Sequence, residues 1–174
     1  MTQIYEYYNT GKDGAIDINA QHAAQTFTVG GSQHTVTSVK LMLYRSGSPG
    51  LVTVQIRTAS GNLPTATVLT SGTYDGNSVT TDSAGAWYEI AITTYTLAAS
   101  TQYAIVVSSA AATLKWCHDA TSPTYTGGQA SYSTTPWTTW NALSSRDMMF
   151  EVWGSPPVSI PTVTTQAATS IGLD

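Results

Sequence analysis

The chain has 174 residues, room for one well-buried domain with some tail to spare and too little for two domains of ordinary size. Only 9% of its residues are charged and the formal net charge is -4, so no basic stripe is available to follow a phosphate backbone, and nucleic-acid binding is not expected. No apolar run approaches the roughly 20 residues that cross a bilayer, and the opening MTQIYEYYNT has no charged segment leading into an apolar one, so as it stands it is not read as a secretory signal.

Thr, Ser, Gly and Ala stand where charged residues would. Thr is β-branched and stiff at χ1, and no helical period runs anywhere in the chain, so the class predicted is all-β. In order, Ile4, Tyr5, Tyr7 and Tyr8 mark a first strand. Turns follow at Asn9-Thr10-Gly11 and Asp13-Gly14, and a short strand spans Ile16 to Ile18. In residues 23 to 29, Gln25, Phe27 and Val29 share one face. VTSVKLMLYR alternates Val39, Leu41 and Leu43 inward with Lys40, Met42 and Tyr44 outward, the mark of a half-buried strand. A turn from Arg45 to Gly50 leads into LVTVQIRT, with Val52, Val54 and Ile56 on one side, and the two strands are expected to pair as a hairpin. A weaker strand, TATVLTSGTY, precedes a polar bridge from Asp75 to Gly85. WYEIAI then turns Tyr88, Ile90 and Ile92 to the core, and QYAIVVSS adds Tyr103, Ile105 and Val107. TLKWC, QASYS and DMMFEVWG complete the set, the last with Met148, Phe150 and Val152 inward.

About nine to eleven short strands with frequent turn signals and no fixed repeat predict an antiparallel jelly-roll β-sandwich. The domain is drawn over residues 1–154. From Ser155 the sequence turns rich in Pro and Thr, which reads as a linker or docking tail over 155–174.

The stretch from Trp116 to Trp153 holds four of the five tryptophans. Sugar rings stack on Trp and Tyr while their hydroxyls pair with polar side chains. Trp116, Asp119, Tyr125, Tyr132, Trp137 and Trp140, with Gln129 and Asn141, are therefore the candidate ligand residues. The alternative for these aromatics is to anchor loops or subunit contacts. Asp13, Asp17 and Asp147, with Asp119, are candidate ligands for a structural calcium ion, which needs six to eight oxygens from several segments. Their other role is to accept turn and backbone N–H groups. His22, His34 and His118 lack helical zinc spacing. The single Cys117 reads as a small buried apolar side chain. No nucleophile elbow or phosphate loop is present, and no enzyme is predicted.

The blocks AQTFTVGG, TVTSVKLMLYRSGSPGLVTVQIRTASGNLPTATVLTSGT, WYEIAI, LAASTQYAIVV, WCHDATSPTYTGGQASYS and RDMMFEVWG resemble the successive strands of a jelly-roll family. That family occurs in bacterial surface and phage virion proteins and is similar to galactose-binding-like and carbohydrate-binding modules. The resemblance implies binding or display, not catalysis. PTVTT in the tail resembles the start of a fibronectin type III repeat. Two functions follow as expectations. One is a structural module of a phage particle, a capsid decoration or tail or fibre protein, contacting other virion proteins or further copies of itself. The other is a carbohydrate-binding module of a secreted or cell-surface protein. Either places the chain on a virion or outside the cell.

Overall fold

The structure is a computed structural model, described here for residues 1–18, 22–111, 113–134 and 139–157. Among the described residues thirteen strands make two sheets. They are β1 (Gln3–Tyr8), β2 (Gly14–Ile18), β3 (His22–Thr28), β4 (His34–Arg45), β5 (Leu51–Ser60), β6 (Leu63–Asp75), β7 (Ala86–Leu97), β8 (Gln102–Ser109), β9 (Leu114–Asp119), β10 (Ala130–Ser133), β11 (Trp140–Leu143), β12 (Asp147–Met148) and β13 (Phe150–Ser155). Every pairing is antiparallel.

The first sheet carries the path β1-β13-β4, with β7 on the other edge of β4. The second runs β11-β10-β3-β8-β5-β6. Setting aside β2, β9, β10, β11 and β12 leaves eight strands. Renumbered in chain order, these lie 1-8-3-6 in one sheet and 2-7-4-5 in the other, which is the jelly-roll winding. The antiparallel sandwich expected from alternation is the fold found.

The core follows the pleat. Val39, Leu41, Leu43, Val52, Val54, Ile56, Ile90, Ile105, Val107, Phe150 and Val152 are all fully buried between the sheets, each on the face that period two assigns to it. Along one side the two sheets close on each other. Gly72 of β6 lies so near β7 that a Cβ there would run into the Ala91 carbonyl, and the Thr70 hydroxyl donates to the Thr93 carbonyl.

The expected hairpin between residues 36–45 and 51–58 does not form. β4 pairs with β7, β9 and β13, whereas β5 pairs with β6 and β8 in the opposite sheet. The turn from Arg45 to Gly50 is therefore a crossover. The Arg45 N–H donates to the Thr80 carbonyl, and its guanidinium donates to the carbonyls of Val79 and Gly47. Two amphipathic strands in sequence bury their apolar faces equally well side by side or face to face, and alternation does not distinguish the two. The last strand also breaks at Met149. β12 pairs with β9, then β13 pairs with β4, and the Met149 N–H bonds the Cys117 carbonyl at the changeover. β13 runs to Ser155, one residue past the expected domain end; the remainder of the tail beyond Pro157 lies outside the described residues.

Candidate functional site

Between β9 and β10 the chain crosses one end of the sandwich over residues 120–129, and side chains from distant strands hold it there. Asp13 accepts the N–H groups of Ala120 and Thr121, each at 2.8 Å. Asp119 Oδ1 accepts those of Thr121 and Ser122 at 3.1 and 3.0 Å, and its Oδ2 takes the Tyr8 hydroxyl at 2.7 Å. Asp147 Oδ2 accepts the Tyr125 N–H at 2.8 Å. Further on, the Thr26 hydroxyl accepts the Gln129 N–H, the Thr28 hydroxyl donates to the Gly127 carbonyl, and Gly128 lies directly on the Thr26 backbone. Backbone N–H groups that would otherwise point into a loop thus end on carboxylates.

These bonds account for the aspartates better than an ion does. Hydrogen bonds from Thr121 and Ala120 hold Asp13 below the usual carboxylate range, while burial pushes Asp147 up. Asp17 stands apart on β2, ion-paired across the sheet with Lys115 of β9. Asp13, Asp17 and Asp147 therefore do not converge, and among the described residues no three His, Cys, Asp or Glu side chains are grouped to hold a metal.

The candidate ligand aromatics separate in the same way. Trp116 is fully buried, and its Nε1 donates to the Met149 carbonyl at 2.9 Å, so it has no face to offer a sugar and belongs to the core. Asp119 is also buried and spends its carboxylate on the loop. Tyr132 pairs with Asn141 across β10 and β11 while Trp140 pairs with Ser133, so the two rings leave opposite faces of the sheet. Trp140 packs against Ala24, Ala104 and Val106 on the outer face. Gln129 is half-buried beside β3 and Asn141 is exposed. Trp137 lies outside the described residues. Among the described residues no single platform gathers these side chains. Cys117 is buried, as its sequence context implies, and burial pushes its thiol up to about 11.

Of the described candidates, Tyr125 lines a cleft. Its ring stands edge-on to Phe150 at 5.3 Å and tilted to Tyr8 at 6.0 Å, so core packing and the loop clamps fix it together. The cleft, about 470 Å³, falls within the roughly 300–1,000 Å³ usual for small-ligand sites. Tyr5, Glu6 and Tyr7 of β1 form one wall, Thr28 and Gly30 to Ser32 a second, and Tyr125 to Gly127 the third.

The β1 wall has an irregular strand. Its register with β13 shifts between Ile4 and Glu6, leaving Tyr5 as an extra residue, and the Tyr5 ring lies flat on His34, 3.8 Å away and 7° from parallel. Glu6 sits opposite Val152, so its side chain enters the space between the sheets and is only 8% exposed. Its Oε2 stands 3.4 Å from His34 Nε2, yet neither atom has a hydrogen-bond partner. Burial raises the Glu6 carboxyl to about 7, against the pull of the Gly30 N–H, and burial lowers His34. Burial, then the nearby Glu6 charge, hold the Tyr125 hydroxyl above the ordinary phenol range. Tyr7 keeps half its surface in solvent.

Sequence reasoning passed over Glu6 and took its tyrosine neighbours only as strand formers. The available signal was parity: Glu6 and Tyr8 alternate onto one face, and an acid on the face of a strand that meets the core calls for a partner.

No protein-family model matches the sequence, and a search of curated proteins finds no match. One similar solved structure is the crystal structure of the cysteine protease and lectin-like domains of Cwp84, a surface layer associated protein of Clostridium difficile. The likeness has a TM-score of 0.60 at 14% identity and covers 90% of this chain but 36% of that one. It shows a shared fold. Among the described residues no helix is long and apolar enough to cross a membrane.

Proposed function

We propose that the chain is a glycan-binding module of an extracellular or cell-surface protein, and that sugars enter the cleft between β1, the 30–32 turn and the 125–127 loop. The observation that carries this reading is the cleft itself, whose lining brings together three tyrosines, one carboxyl-bearing residue and a run of backbone polar groups. Ring faces suit the C–H faces of a sugar, and the polar groups suit its hydroxyls. The similar fold in a solved chain with a lectin-like domain from a surface-layer associated protein supports the same reading.

Binding rather than turnover fits the cleft. Glu6 is the one carboxyl among its lining residues, whereas paired-carboxyl glycoside hydrolysis uses two such groups about 5–10 Å apart. A role in a virion rests on composition, and no feature of the described fold favours it over display on a cell surface.

The test is a glycan screen of the chain beside Tyr7→Ala. Tyr7 is half-exposed, so its removal costs the core little. A genuine ligand weakens about three- to tenfold, the worth of one stacking ring. Glycans that bind Tyr7→Ala unchanged place the site elsewhere, and a screen with no hits removes the reading.

A further inference from the structure

We infer that the cleft selects a saccharide carrying a free, protonated amine, with the ammonium group held by Glu6 and the sugar ring laid against the tyrosines. This deepens the glycan-binding reading and rests on it.

One oxygen of a buried carboxyl in the cleft lining lacks compensation. Glu6 is the only lining residue with an ionisable carboxyl, it is more than nine-tenths buried, and its Oε2 has no hydrogen-bond partner. The Gly30 N–H reaches this carboxyl but leaves Oε2 without a donor, and folds offset such buried oxygens with a cation or a further donor. The nearest candidate inside the protein is His34. Both of its ring nitrogens lack hydrogen bonds, and its burial under the Tyr5 ring opposes the protonated form. It does not supply a fixed positive charge.

The walls favour the same ligand. Tyr5, Tyr7 and Tyr125 line the same cleft as Glu6, and aromatic faces attract ammonium groups. Room exists on the open side, where a Cβ built on Gly30 or Gly31 meets nothing within 4 Å. A neutral sugar would gain the stacking and leave Glu6 without its counter-charge. An amino sugar gains both.

Affinity then depends on pH in a defined way. The ionisable groups facing Glu6 are Tyr5 on its own strand, His34 from β4 and Tyr125 from the loop; β13 contributes Val152, and the 30–32 turn contributes none. Binding strengthens as Glu6 ionises with rising pH through about 7. It weakens again where the sugar amine loses its proton, at roughly pH 8 for an ordinary amine of low basicity.

The experiment is calorimetric titration of the full chain with three disaccharides of one linkage: β-1,4-linked glucosamine, its N-acetylated form and cellobiose. The glucosamine disaccharide is expected to bind about tenfold more tightly than the others, and Glu6→Gln should erase that margin. Carboxyl carbon NMR on the unsubstituted chain gives a readout that does not depend on the variant folding: the amine must move the Glu6 titration to lower pH, and cellobiose must not. Equal binding of all three sugars, or a margin that survives in Glu6→Gln, overturns the inference and leaves the glycan reading standing. No binding by any sugar overturns both. Glu6-dependent binding of a lysine peptide in place of every sugar overturns it as well, by moving the amine from a saccharide to a protein.

Discussion

At Glu6 the burial of a carboxyl also ties folding to proton concentration. Its carboxyl moves from an ordinary 4.5 to about 7 in the folded chain, so between those values the folded state holds a proton that the unfolded state releases. The Glu6 contribution is whole below 4.5 and is lost as pH rises through 7. The buried histidines run the other way. His22, lowered from 6.5 to about 4, together with His34 and His118, contributes above 6.5 and loses that contribution as pH falls. The histidines gain over part of the same range, so the Glu6 effect is read as a difference: between pH 6 and 8 Glu6→Gln should gain about 1 kcal/mol in denaturant unfolding relative to the unsubstituted chain. A slope unchanged in the variant would assign the effect to another group. Neither Glu6 nor Trp116 was hidden in the sequence: Trp116 shares parity with the buried Leu114, which assigns it to the core. Attention to aromatic content drew it toward the surface, where only residues such as Tyr7 can serve.

The strands themselves were legible because alternation survives the fold: Val39, Leu41 and Leu43 lie inward as their spacing demands. Edge partners were not legible, since β4 and β5 satisfy the same pattern in different sheets. The loop over residues 120–129 shows the same limit. Asp13 reaches it from 107 residues away in sequence, and only the winding of the roll brings the two together. Its seat depends on Gly128, where a Cβ would strike the Thr26 carbonyl. Gly128→Ala should lift the loop, displace Tyr125 and cost about 1–3 kcal/mol on thermal or denaturant unfolding. Gly31→Ala, which adds its methyl to open space, is the matched control and should change nothing. Equal effects in the two variants would show that the loop is not seated by close approach at Gly128.

Across the whole molecule, composition and strand count announced a sandwich, and the winding 1-8-3-6 against 2-7-4-5 realises it. That winding lays β1 along the outside of β13, with Gln3 opposite Gly154 and Tyr8 opposite Phe150. The two ends of the sandwich consequently emerge side by side. Tension between them does not load the hydrogen bonds of this pair in parallel; it peels them one after another, from Gln3 toward Tyr8. Pulling a single molecule between residues 1 and 157 should give a small first yield, as β1 comes away, before the rupture of the sheets, and one undivided event would refute this. Since β1 carries Tyr5, Glu6 and Tyr7, the first thing a stretched molecule surrenders is its grip on whatever the cleft holds.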